Sequence, residues 1–126
     1  MKKIRNHKEL IVWQKARRLA VEVYRATLKF PDFDRNALIL QTRRAGISVL
    51  SNISEGAARG SDREFRQFLY IARGSLAELE AQMLVADELG FLPPDSKLLA
   101  QIGEVGRLIN GLISATSKSL SPPANT

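Results

Sequence analysis

The chain has 126 residues, 44% hydrophobic and 25% charged, which is the balance of one globular domain; two domains would leave each core too small to stand alone. It contains no cysteine, which excludes disulfides, thiolate metal sites and cysteine nucleophiles. The net charge of +6 is unevenly spread. Residues 1–30 hold nine Lys/Arg against two acids, a balance of +7, and residues 61–92 hold three against six, a balance of −3. A basic quarter of this kind predicts a polyanion partner, or pairing with an acidic segment of a neighbouring subunit.

The opening MKKIRNHKEL is basic but lacks the apolar stretch of a signal peptide. No apolar run approaches the ~20 residues of a membrane span, so the expected location is cytoplasmic.

Four helices are predicted in chain order. The first runs over about 9–29, where Trp13, Ala16, Ala20, Val23 and Thr27 recur at three- and four-residue steps and Leu19 and Tyr24 widen the stripe. Phe30-Pro31 ends it, because proline disfavours α geometry in the residue before it. The second, about 34–57, begins with Asp34 as a candidate N-cap and shows Leu38, Ala45, Val49, Asn52, Ile53 and Gly56 on one face. Ile39, Gly46, Ile47 and Leu50 add apolar surface elsewhere, so this helix is expected to be covered on more than one side, a sign of self-association.

Gly56 and Gly60 mark the next break. Ser61-Asp62-Arg63-Glu64 is a capping box, with the Ser61 hydroxyl accepting from the Glu64 amide and the Glu64 carboxylate reaching back to the Ser61 amide. The third helix, about 62–89, carries Phe65, Phe68, Leu69, Ala72, Ser75, Leu76, Leu79, Met83 and Ala86 on one face and stops at Gly90. After Leu92-Pro93-Pro94-Asp95, with proline in the first turn, a fourth helix over about 95–117 has the stripe Leu98, Ile102, Val105, Ile109, Leu112, Ile113 and Thr116. Residues 119–126, rich in Ser and Pro, form an expected disordered tail after a domain spanning 1–118. The short connections make the fold class all-α: an antiparallel, up-down-up-down four-helix bundle.

Chemistry-bearing constellations are scarce. His7, the only histidine, lies in the basic arm, and no Glu-x-x-His pair exists, so neither a di-iron site nor histidine-assisted nucleophilic catalysis is expected. Gly56-Ala-Ala-Arg59-Gly60-Ser61 follows a helix rather than a strand and reads as a chain reversal instead of a phosphate loop. Gln41, Arg44, Ser48, Asn52, Glu55 and Arg59 trace a polar stripe along the second helix, with Arg73, Glu78 and Gln82 of the third as facing candidates. Arg44, Asn52, Glu55, Arg59 and Glu78 read as a register-fixing hydrogen-bond network; the rival reading is a ligand site with Glu55 as acid or base. Trp13, Phe65 and Phe68 read as core anchors, and Tyr24 and Tyr70 as half-buried. The candidate phosphate contacts are Lys2, Lys3, Arg5, Lys8, Lys15, Arg17, Arg18 and Arg25, the competing reading being a solvated face with a loose terminus.

Several strings together carry a resemblance: Leu10 to Ala16 (LIVWQKA), Phe30-Pro31, Gln41 to Ala45 (QTRRA), Ser51 to Gly56 (SNISEG) with Arg59, and Phe65 to Leu79 (FRQFLYIARGSLAEL). Over roughly residues 5–115 the chain resembles the bacterial four helix bundle protein family, first noticed as reading frames inside intervening sequences of 23S rRNA genes. The resemblance implies a four-helix bundle and, for relatives with known structure, ring-shaped homopentamers; it carries no enzymatic activity with it, and no cofactor is expected. More distantly the fold is similar to accessory proteins of diversity-generating retroelements, whose partners are nucleic acid and a reverse transcriptase. This chain looks closer to the ribosomal intervening-sequence branch, so a reverse transcriptase or other protein partner comes only from the distant likeness. The expected function is a non-enzymatic homo-oligomer, a pentamer on the resemblance, whose basic surface contacts RNA or DNA phosphates, with no metal and no membrane. The alternative is a protein-interaction scaffold without nucleic-acid binding, in which helix-one charges pair with the acidic third helix of a neighbour.

Overall fold

The computed structural model describes residues 10–31 and 35–120, with only the backbone described at 35, 36 and 118–120. Its order is α1 (Ile11–Thr27), a π-helical turn (Arg35–Ile39) that runs directly into α2 (Leu40–Ala58), α3 (Asp62–Glu88) and α4 (Leu98–Leu120). Asp34 and residues 121–126 lie outside the described residues, and with them the expected cap and most of the expected tail.

Side chains that meet across helices fix the directions. Trp13, early in α1, bonds Ser54, late in α2, while Arg43 near the start of α2 bonds Thr27 at the end of α1. Gly56 late in α2 meets Phe65 and Phe68 early in α3, and Arg66 early in α3 bonds Ser117 late in α4. Each helix packs on its chain neighbours, and α1 closes the ring against α4. The architecture is an antiparallel four-helix bundle, as the short connections require.

The core follows the four stripes. Val12, Ala16, Leu19 and Val23 of α1 meet Ala45, Val49 and Ile53 of α2, Leu69, Leu76, Leu79 and Met83 of α3, and Ile102, Val105 and Ile109 of α4. Each large aliphatic so buried stabilises by about 1.5–3 kcal/mol. The stripe of α1 is phased on Val12, 2% exposed; Trp13 packs at the edge with its indole N–H donating to Ser54 Oγ at 2.7 Å. Phe30 and Phe91, one from each loop at the same end, pack ring to ring at 5.2 Å and plug that end.

The terminators are local chemistry. Ser61 is extended (φ −132°, ψ 147°) and its Oγ accepts from the Glu64 amide at 3.2 Å. The Glu64 carboxylate accepts from the same hydroxyl at 3.0 Å instead of from the Ser61 amide, a tighter version of the expected box. Gly90 (φ 81°) ends α3 with Phe91 N–H reaching the Ala86 carbonyl and Gly90 N–H the Asp87 carbonyl, the Schellman pattern. Before α4 the prolines stand in a turn, with Ser96 N–H donating to the Pro93 carbonyl and Ser96 Oγ accepting from the Leu98 amide. The helix therefore begins at 98, after the prolines rather than on them.

Gly56 does not break α2, which continues to Ala58; the reversal is made by Gly60 alone, at φ 86°. Gly56 is needed for packing. A Cβ there would lie 2.6 Å from Phe68 Cβ and 3.0 Å from Phe65 Cδ1. Gly111, exposed on α4, has nothing within 4 Å. Gly56→Ala should therefore lower stability, the overpacking of about 1–3 kcal/mol exceeding the ~1 kcal/mol gain in helix propensity. Gly111→Ala should raise stability by up to about 1 kcal/mol, and urea denaturation of the two variants reads the opposite signs directly.

Candidate nucleic-acid interface

The helical repeat divides the outward surface of α1 into two adjacent faces. Lys15, Arg18, Glu22, Arg25 and Lys29 follow one line at three- and four-residue steps, while Arg17, Val21, Tyr24 and Leu28 follow the next, beside α2. All these cations are exposed. Lys15 Nζ sits 3.2 Å from Glu104 Oε2 on α4, and Arg25 Nη1 sits 3.1 Å from Glu22 Oε2 one turn back. Arg18 has no ion-pair partner among the described residues. Arg17 lies over the Trp13 ring at 5.3 Å. Exposed pairs of this kind contribute about 0–1 kcal/mol, so Lys15 and Arg25 can exchange onto a stronger anion. Lys2, Lys3, Arg5 and Lys8 lie outside the described residues.

One further arginine belongs to this surface and was not among the expected phosphate contacts. Arg43 donates from Nε to Thr27 Oγ1 at 2.8 Å and covers the Tyr24 ring at 4.7 Å. The Thr27 hydroxyl is itself anchored to the Val23 carbonyl at 2.8 Å, so the guanidinium is held across the α1–α2 seam. The signal was present in outline, since an antiparallel hairpin must bring the last turn of α1 beside the first of α2. Tyr24, expected half-buried, is 44% exposed, and Tyr70 is likewise exposed with Arg73 over its ring at 4.8 Å. Both rings lie just outside the buried phase of their helices.

The polar residues of α2 fall into separate groups. Ser48 and Ser75 share a 2.7 Å hydrogen bond between α2 and α3, and Asn52 Nδ2 donates to the Ser48 carbonyl at 2.8 Å and to its hydroxyl at 3.1 Å. Arg44 and Glu78 line the groove above this cluster together with Gln41, with no ion pair joining them among the described residues. Glu55 and Arg59 belong to the α2–α3 turn: Arg59 Nη2 donates to Glu55 Oε2 at 2.9 Å, Nη1 approaches Glu64 Oε2 at 3.9 Å, and the guanidinium covers the Phe68 ring at 5.0 Å. Arg73 turns away from α2 and donates to Asn110 on α4. Gln82 donates to Glu78 at 3.5 Å while its buried Oε1 has no partner among the described residues. The stripe thus serves three places, a midpoint lock between α2 and α3, an open groove beside it and a staple on the turn.

Among the described residues no three His, Asp or Glu side chains gather in a metal-holding group, and no helix is long and apolar enough to cross a membrane. The model of the 23S rRNA-intervening sequence protein family matches residues 8–111, which takes in α1, α2, α3 and most of α4. The chain belongs to that family. No curated protein matches it. In this member of the family, then, the matched region contains both the exposed cationic line of α1 and the seam that holds Arg43.

A double-mutant cycle on Lys15 and Glu104 checks how firmly the cationic line is held internally. Coupling below about 1 kcal/mol at low salt, vanishing at high salt, is expected for an exposed pair that leaves Lys15 free to exchange partners.

Proposed function

We propose that this intervening-sequence protein is a non-enzymatic, homo-oligomeric bundle that binds nucleic acid through its phosphates. The observation that carries the reading is the line of exposed cations on the outer face of α1, Lys15, Arg18, Arg25 and Lys29, on a rigid helix and paired only by weak surface contacts. The family's tie to 23S rRNA intervening sequences favours RNA over DNA as the ligand. Contacts of this type are set by charge and carry little base information, so binding is expected to be weakly sequence-specific and steeply salt-dependent. Repetition of the line in a symmetric assembly raises the local potential above that of a single copy.

Fluorescence anisotropy with labelled RNA and DNA across a salt series tests this. The triple substitution Lys15→Gln, Arg18→Gln, Arg25→Gln should weaken binding to every sequence and reduce the slope of log affinity against log salt by about 2–3, with helicity unchanged. Unchanged affinity and slope would remove this face from the interface.

A further inference from the structure

Among the described residues, two of the exposed apolar surfaces carry opposite charge. The first is the groove between α1 and α2, about 320 Å³, lined by Val21, Tyr24, Leu28, Ile47 and Leu50. Its charged lining is Arg17, Arg25 and Arg43, with no carboxylate among the lining side chains. Leu28 is 75% exposed. A second hollow continues it past Tyr24 to Leu40.

The second surface is the outer side of α3, where Ala77, Ala81, Leu84 and Val85 follow one another at helical steps and Leu89, 59% exposed, ends the ridge. Glu78, Glu80 and Asp87 flank that ridge, Glu88 lies on its line one turn beyond Leu84, and no ion pair engages any of them among the described residues. A ridge of leucine and valine edged by carboxylates is the chemical complement of a groove of tyrosine, leucine and isoleucine edged by guanidiniums. Interface cores favour Tyr and Arg and bury apolar area, and charge at the rim fixes register.

We propose that the α1–α2 groove of one copy docks the outer face of α3 of a second copy. This contact specifies the assembly in the function proposed above, rests on that reading only for the existence of an oligomer, and owes nothing to its nucleic-acid half. Groove and ridge are different patches, so the contact is head-to-tail, and each added copy presents the patch that the next one needs. The phosphate-facing line of α1 lies beside the groove and stays outside the contact except at Arg25, which borders both.

The test is the mass of the full-length protein by light scattering, without nucleic acid, for two surface variants alone and mixed. Val21→Asp with Leu28→Asp disables the groove; Leu84→Asp with Val85→Asp disables the ridge. Each variant alone should fall to the monomer mass of 14.0 kDa, and an equimolar mixture should form a dimer of twice that mass through the one intact groove and the one intact ridge. Far-UV circular dichroism establishes that each variant is folded; the single changes Leu28→Asp and Leu84→Asp replace a double variant that is not. A monomeric wild type overturns the proposal, as does wild-type mass in either variant or failure of the mixture to pair. A monomeric wild type whose RNA affinity falls with Val21→Asp and Leu28→Asp would assign the groove to an unpaired base against Tyr24. A wild-type oligomer that binds no nucleic acid would sink the function proposed above and leave this contact standing.

Discussion

The close approach of α2 and α3 is the constraint on which the rest of the bundle depends. With hydrogen for a side chain at Gly56, Phe68 Cβ and the Phe65 ring come within reach of the α2 backbone at a distance that no other residue permits. Above that point the Ser48–Ser75 hydrogen bond sets the register at the middle of the same seam. Below it, Arg59 spans the turn to Glu55 and Glu64 while lying over Phe68. Together they hold α2 and α3 as one plate, on which α1 and α4 lay their stripes and close the ring.

The looser seams are where chemistry reaches the surface. Between α1 and α2 the close point is Gly46 against Ala20 and Val23, but the helices then leave room for Arg43 to lie between Thr27 and Tyr24. Small residues thus bring the helix axes together at one level, and a long cationic side chain occupies the space at the next. The same division appears around α1, which buries Val12, Ala16, Leu19 and Val23, turns Val21, Tyr24 and Leu28 toward the groove, and leaves Lys15 and Arg18 to solvent.

Helix number, order and direction were legible in the sequence because apolar spacing at 3.6 residues is a strong signal over 20 residues, and because short loops leave only antiparallel neighbours. The capping box was legible to the residue, since it is written in four consecutive side chains. The phase of α1 was harder: Trp13 outweighs Val12 in hydrophobicity, yet its indole N–H needs an acceptor and finds Ser54 at the edge. Gly56 looked like a stop because glycine in sequence does not distinguish freedom to turn from freedom to be approached. The polar stripe of α2 appeared continuous because a helical wheel collapses height, and in three dimensions Asn52 and Arg59 face different neighbours two turns apart. The cationic face of α1 was visible as composition, while Arg43 and the exposure of Tyr24 depended on the separation of two helices, which local pattern does not encode.

The three-residue connection between α2 and α3 has a kinetic consequence. The entropy lost on closing a loop grows with its length, and here the largest helix–helix contact in the bundle is gained by closing one of the shortest loops available. Contacts so local form fast, which makes this hairpin the natural first piece of the folding route, with Gly60 and the Ser61 cap as its hinge. The turn between these helices therefore governs how quickly the newly made chain hides its apolar faces, as well as where the finished bundle bends.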